Sequence, residues 1–293
     1  MNKRLILAFF GVCVSWSFSW FAIKHQSNSH VSVYSSLAYR FFASGIICLI
    51  IAKFLKYNIN IKFSNIKYIS ISAATNASLN FVCGYTASKY ISSGMIAAIF
   101  SLSIVTNEIF LAIADKRNIS KNTIISSLIG ITGLILFILP TIHFSLDVNH
   151  TIKGVYFAVI MPIIVCFGYQ AMKKCIKQTQ MPLLVYISYT FILGGVFSLI
   201  IAKILHHKLS FDFGTEYILS LLYLIIFASC VAYISLYYLI QKLGAAKANY
   251  TSLIYTVGAI LVSTYFEDYQ WHLINIVGFF MIILSLFNEF RKK

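Results

Sequence analysis

The sequence predicts an all-α integral membrane protein of ten transmembrane helices, arranged as two inverted five-helix repeats. Three observations carry this. The 293-residue chain is 59% hydrophobic and only 11% charged, with a mean hydropathy of +0.83. Soluble proteins carry about 25% charged residues, and a globular core cannot absorb so much apolar surface. Apolar runs of about 17–25 residues, each able to cross a hydrocarbon layer of ~30 Å, recur along the chain. Finally, the basic residues alternate. With the N-terminus placed inside, 17 of the 23 Lys and Arg fall in inner segments and 5 in outer ones, leaving Arg40 within a helix. That bias places both termini in the cytoplasm. Five crossings per half is an odd number, so a duplicated half must insert with opposite orientation. The halves are expected at 1–140 and 154–293, with a polar linker at 141–153.

The first helix is expected over 5–23. Lys3 and Arg4 before an apolar run resemble a signal peptide, but the run is too long and no small-x-small site ends it, so it is read as a retained helix. Trp16 and Trp20 lie one helical turn apart, with Ser15, Ser17 and Ser19 alternating. Trp20 suits an interface anchor, and the deeper Trp16 a cavity lining. The second helix, 33–52, carries Arg40 at ~10 Å depth. Snorkelling outward is its ordinary fate; gating, or contact with an anionic substrate group, is the alternative.

The third helix, 66–88, sets Asn76, Asn80 and Gly84 on one face with Tyr85 beside them. Two amides one turn apart in a membrane helix need partners, from neighbouring helices or from substrate. The fourth, 91–114, places Gly94, Ala98, Ser101, Val105, Glu108 and Ala112 on one stripe, with Asn107 adjoining. Such a small, polar stripe packs on other helices or faces a cavity. Glu108 is the one carboxylate expected deep in an apolar segment. An isolated carboxylate at bilayer depth costs roughly 2.5–3.5 kcal/mol or more, so it must face protein or a wet cavity. It is a candidate proton carrier, a counter-charge, or a structural hydrogen-bond partner near the cytoplasmic mouth. At ~25 Å from the outer end it is too far from Arg40 for a direct bridge. The fifth helix, 122–140, carries Gly130 and Gly133.

The second half is expected to form helices at 154–172, 183–203, 217–240, 246–265 and 272–288. Pro162 and Pro182 lie near the middle of the chain, and Tyr169 and Gln170 fall near the end of the sixth helix. Tyr233 and Tyr237 stack one turn apart near Ser229; Tyr250, Ser252 and Tyr255 mark the ninth, and Gly278 the tenth. Asp115 ends the fourth helix on the inner side and Glu267 ends the ninth on the outer side, as inversion requires.

Other chemistries find little footing. Cys13, Cys48, Cys83, Cys166, Cys175 and Cys230 are scattered with no CxxC spacing and read as small packing residues. His206-His207 has no third ligand at useful spacing. The net charge of +15 suits anionic headgroups, so no nucleic-acid partner is expected. No GxxxxGK[ST] loop supplies ATP drive. No HExxH or paired carboxylates suggest an enzyme, and no cofactor or metal is expected. The Asn-x-Ser/Thr matches at Asn76, Asn118, Asn149 and Asn249 carry little weight, the first lying inside a membrane helix.

Several stretches resemble the drug/metabolite transporter superfamily, in particular its ten-helix type with two EamA repeats. Trp16-Ser17-Phe18-Ser19-Trp20-Phe21-Ala22-Ile23-Lys24 is similar to the family's first-helix signature, with Ser17 for the usual Gly. Ala38-Tyr39-Arg40-Phe41-Phe42 resembles the Arg-Phe of the second helix, and Ala114-Asp115-Lys116-Arg117 the Gly-Glu-Arg that ends the fourth. Gly244-Ala245-Ala246-Lys247-Ala248 resembles the small-residue turn into the ninth helix. Tyr255 and Thr256 stand where the family often has Glu-Pro, and no proline falls near 100–108. The resemblance implies that helices 3, 4, 8 and 9 line a central cavity while 1, 2, 6 and 7 move.

The expected function is secondary transport of small organic metabolites across a bacterial inner membrane by alternating access, the resemblance favouring amino acids or related compounds in efflux or exchange. The alternatives are an uptake carrier for a nucleotide-like or methyl-donor metabolite such as S-adenosylmethionine, or a channel or scaffold. Expected substrate contacts are Trp16, Asn76, Asn80, Tyr85, Ser101, Asn107, Tyr233, Tyr237 and Tyr255, with Glu108 for proton coupling and Arg40 for gating or anion contact. The partners are a small-molecule substrate and the lipid bilayer, for a monomer or homodimer.

Overall fold

The computed structural model describes residues 3–143, 147–248 and 250–291, in which helices joined by short irregular segments make up the fold and no strand occurs. Asn249, Lys292, Lys293 and residues 144–146 of the expected linker lie outside the described residues. Each apolar run becomes a helical rod, because a backbone in lipid must satisfy its polar groups internally. The first rod, α1, is Lys3–Ser27. α2 is Val33–Phe54, opened by Ser32, whose hydroxyl accepts the Ser35 N–H at 3.1 Å. α3 spans 63–88 as Phe63–Ala74 and Asn80–Ser88 joined by a π turn at Thr75–Leu79. α4 is Ser93–Ala114 and α5 is Lys121–His143. α6 is Val148–Thr179 and α7 is Leu183–Ile204. α8 is Thr215–Leu243, with a π stretch at Leu224–Val231. A short turn, Ala245–Ala248, leads into α9, Thr251–Phe266, and α10 is Leu273–Arg291.

Seven of these are long and apolar enough to cross a membrane on length and composition; α9 and α10 are shorter apolar helices. α6 exceeds its expected range at both ends. Its 32 residues reach ~48 Å at 1.5 Å each, beyond a core of ~30 Å. Polar residues are tolerated outside that core, so Asp147 caps the start by accepting the His150 N–H at 2.9 Å, and Lys173, Lys174 and Lys177 ride exposed near the end. Helix therefore replaces most of the expected linker.

Packing is nearly symmetric under exchange of each rod with the one five later. α2 lies along α7 and α5 along α10, both extensively; α3 on α6 is matched by α8 on α1, and α4 on α6 by α9 on α1. Glycines permit the self-related pairs to close. A Cβ on Gly45 would sit 2.8 Å from the Ser188 carbonyl oxygen of α7, and one on Gly133 2.8 Å from the Gly278 carbonyl oxygen of α10. Without a hydrophobic drive between helices, this close backbone approach is what holds membrane helices together.

Candidate functional site

A cavity of about 180 Å³ opens where eight rods meet, α1–α4 and α6–α9; α5 and α10 stay outside it. Its wall is therefore wider than the four helices implied by the family resemblance. Four of the contributing rods are interrupted at its level. α1 breaks at Phe18, between the lining residues Trp16 and Trp20; α4 breaks at Leu102, two residues past Phe100. The π turn of α3 holds Asn76, and the π stretch of α8 holds Ala228. Irregular backbone is tolerated at membrane depth where protein or a cavity supplies the missing partners. Here the indole Nε1–H of Trp16 donates to the Ala228 carbonyl at 3.0 Å.

Six of the residues singled out in the sequence line this space: Trp16, Arg40, Asn76, Asn80, Tyr233 and Tyr255. Trp16 meets Tyr233 and Tyr255 edge-to-face at 5.4 and 5.1 Å. Asn76 reaches the wall past Gly168, where a Cβ would collide with its amide. Asn80 is 2% exposed and its Oδ1 has no partner. Arg40 does not snorkel. It is 2% exposed, its Nε donates to Ser229 Oγ at 3.2 Å, and its guanidinium lies 4.6 and 5.0 Å from the ring centroids of Phe81 and Phe41.

The structure does not bring the remaining candidates to the wall. Tyr85 is fully buried and donates to Gln26 Oε1. Ser101 donates to the Ala98 carbonyl of its own helix at 2.7 Å. Tyr237 packs on Tyr57 and pairs with Gln241. Asn107 is half-buried with an unpartnered Oδ1. Glu108 is buried, and the Arg117 guanidinium donates to it at 3.3 Å. The whole stripe from Gly94 to Ala112 is buried, with Gly94 set against Ser263 and Ile260 of α9.

Sequence reasoning missed Trp20, Phe81 and Phe100 as lining residues. Trp20 is an inner wall residue, 5% exposed, stacked on Phe81 and edge-on to Phe100. Gly84 gives it room: a Cβ there would lie 2.8 Å from the indole. Glu289 was also missed: it is 1% exposed and accepts from Thr123 Oγ1 at 3.1 Å.

The two ends of the cavity differ. Toward the face bearing Lys173 and Lys242, the lining residues Met172, Leu183, Leu236 and Ile240 are partly exposed. Toward the opposite face the helix ends are tied. Lys24 pairs with Glu267 at 2.7 Å, Glu267 accepts the Ser93 N–H at 3.0 Å, and Ser88 donates to Ser27 at 2.9 Å.

Fold and site together define a multi-pass membrane protein with a central cavity for a small molecule. The chain belongs to the EamA-like transporter family, whose sequence pattern matches twice, over residues 3–139 and 152–288. That is a family of membrane transporters of small molecules, not of enzymes. A solved structure described only as the crystal structure of a protein shares the fold, with a TM-score of 0.67 over 99% of this chain and 98% of its own at 12% identity. No curated protein matches.

Proposed function

We propose that the chain is a secondary carrier that moves small organic metabolites by alternating access, with all ten rods crossing a bacterial inner membrane. In this reading the two halves are inverted copies, both termini are cytoplasmic, and the conformation is inward-facing. The observation that carries it is the central cavity, surrounded by broken helices, together with the Lys24–Glu267 pair that ties the helix ends on one face. The packing symmetry between rods five apart supports the repeat, and the 17-to-5 charge bias supports the orientation. Trp16, Asn76, Asn80, Tyr233 and Tyr255 contact substrate, with Arg40 at its anionic end. Amino acids or related compounds, in efflux or exchange, are the proposed cargo class. The test is counterflow: proteoliposomes preloaded with unlabelled substrate should transiently accumulate labelled substrate and saturate. Flux that is linear with concentration and shows no counterflow would make the protein a channel.

A further inference from the structure

We infer that the cavity selects a flat organic anion: a single carboxylate on one aromatic ring, with the carboxylate held at Arg40. This rests on the carrier reading above and narrows its substrate.

Charge sets the sign. Arg40 is the single ionisable Arg, Lys, Asp, Glu or His among the lining residues, so no carboxylate in the wall balances it. Its Nη1 is buried with no hydrogen-bond partner, in a residue only 2% exposed. Ser229 Oγ accepts from Nε and the Tyr85 hydroxyl faces the guanidinium, but these groups and the rings of Phe41 and Phe81 that attract the cation are neutral. A desolvated charge without a counter-ion is costly, and the planar guanidinium fork holds a carboxylate with two parallel hydrogen bonds. An ammonium group entering the same space meets a like charge and no acid.

Shape sets the body. Trp20, Phe81 and Phe100 form one aromatic wall, and Trp16, Tyr233 and Tyr255 another. Between them a planar ring gains stacking and edge contacts without ordering flexible side chains. About 180 Å³ lies below the ~300–1,000 Å³ of sites for drug-sized ligands. That size suits a small ligand such as one ring with a short acid chain. The free Oδ1 of Asn80 offers an acceptor to a ring N–H or hydroxyl.

The experiment uses three ligands that differ only at the head group, 3-phenylpropanoate, 3-phenylpropanol and 3-phenylpropylamine. Binding to the purified full chain is read from quenching of Trp16 and Trp20 fluorescence. The acid should bind at least about tenfold more tightly than the alcohol, and the amine more weakly than both. Arg40→Gln should bring the acid to the level of the alcohol, and Arg40→Lys should retain part of the preference. An amine that binds as well as the acid, a preference that survives Arg40→Gln, or binding by none of the three would overturn the inference. Should Arg40→Gln fail to fold, the ligand order on the unaltered chain decides. Counterflow separates the two readings: ordered binding without flux defeats the carrier and keeps the anion site, while saturable counterflow of the amine does the reverse.

Discussion

Lys24 Nζ lies 2.7 Å from Glu267 Oε2, and the same oxygen accepts the Ser93 N–H at 3.0 Å. One carboxylate thus ties the ends of α1 and α9 to the start of α4. Exchanging each rod with the one five later turns this pair into Asp115–Lys173, which joins the end of α4 to α6. There the charges lie 3.4 Å apart with side chains 50% and 54% exposed, against 6% for Glu267 and 29% for Lys24. Attraction between charges grows as water is excluded, so the two related contacts are unequal: one is a desolvated bolt, the other a surface pair worth ~0–1 kcal/mol.

The first prediction follows from that inequality. Glu267→Gln should loosen the sealed face by at least ~1.4 kcal/mol, because it strands Lys24 and removes half of a largely buried pair. Hydrogen–deuterium exchange at the end of α1 and the start of α4 should then rise by roughly tenfold. Asp115→Asn should leave exchange at the opposite face nearly unchanged. Equal responses from the two variants would show that the pairs are equivalent and that no face is bolted.

A second prediction concerns close approach. Gly133→Ala places a Cβ 2.8 Å from the Gly278 carbonyl oxygen and 2.7 Å from Met281 Cβ. Backbone cannot yield as a flexible side chain does, so α5 and α10 must separate, at a cost of about 1–3 kcal/mol. The melting temperature in detergent should fall measurably. Ile135→Ala, on the exposed face of the same helix, should leave it within error. A drop of the same size at both positions would refute the packing argument.

Glu108 tests coupling. It pairs with Arg117 and stands apart from the cavity wall, which suits a structural tie at the end of α4 better than a proton path. Glu108→Gln should therefore keep both counterflow and pH-gradient-driven accumulation in proteoliposomes. Retained exchange with lost accumulation would return the residue to the role of proton carrier.

How much of this was legible in the sequence depends on what each residue's environment encodes. The rods were legible because an apolar run of membrane length has one stable form. Their interruptions were not. Thr75–Leu79 and Leu224–Val231 contain neither proline nor glycine, and the widened turns come from tertiary packing. The pairing of Asn76 with Asn80 on one face was readable from helical period. The direction of Arg40 was not, since snorkelling and burial begin from the same depth; Ser229 and Phe81, distant in sequence, decide it. Trp20 is misread as an interface anchor for a similar reason, because its inward pose depends on Gly84 of another helix. The burial of Glu267 and Glu289 was hidden because both stand at segment ends, where carboxylates usually meet water.

The last prediction concerns Trp16, which has two separable roles. Its ring packs edge-on to Tyr233 and Tyr255, and its Nε1–H satisfies the Ala228 carbonyl within the π stretch of α8. Trp16→Phe keeps an aromatic ring and removes the donor. The stranded carbonyl is buried in a helix whose ladder is already irregular, so the loss should approach the cost of an unsatisfied group, about 1–3 kcal/mol, in place of the smaller net value of a neutral hydrogen bond. The expected result is a lowered melting temperature with faster amide exchange confined to 224–231, together with weaker ligand binding. Trp16→His retains a ring N–H and should recover part of the stability without restoring the full wall of the cavity. If Trp16→Phe leaves exchange in 224–231 untouched while binding falls, the residue serves the cavity alone and the π stretch stands without it.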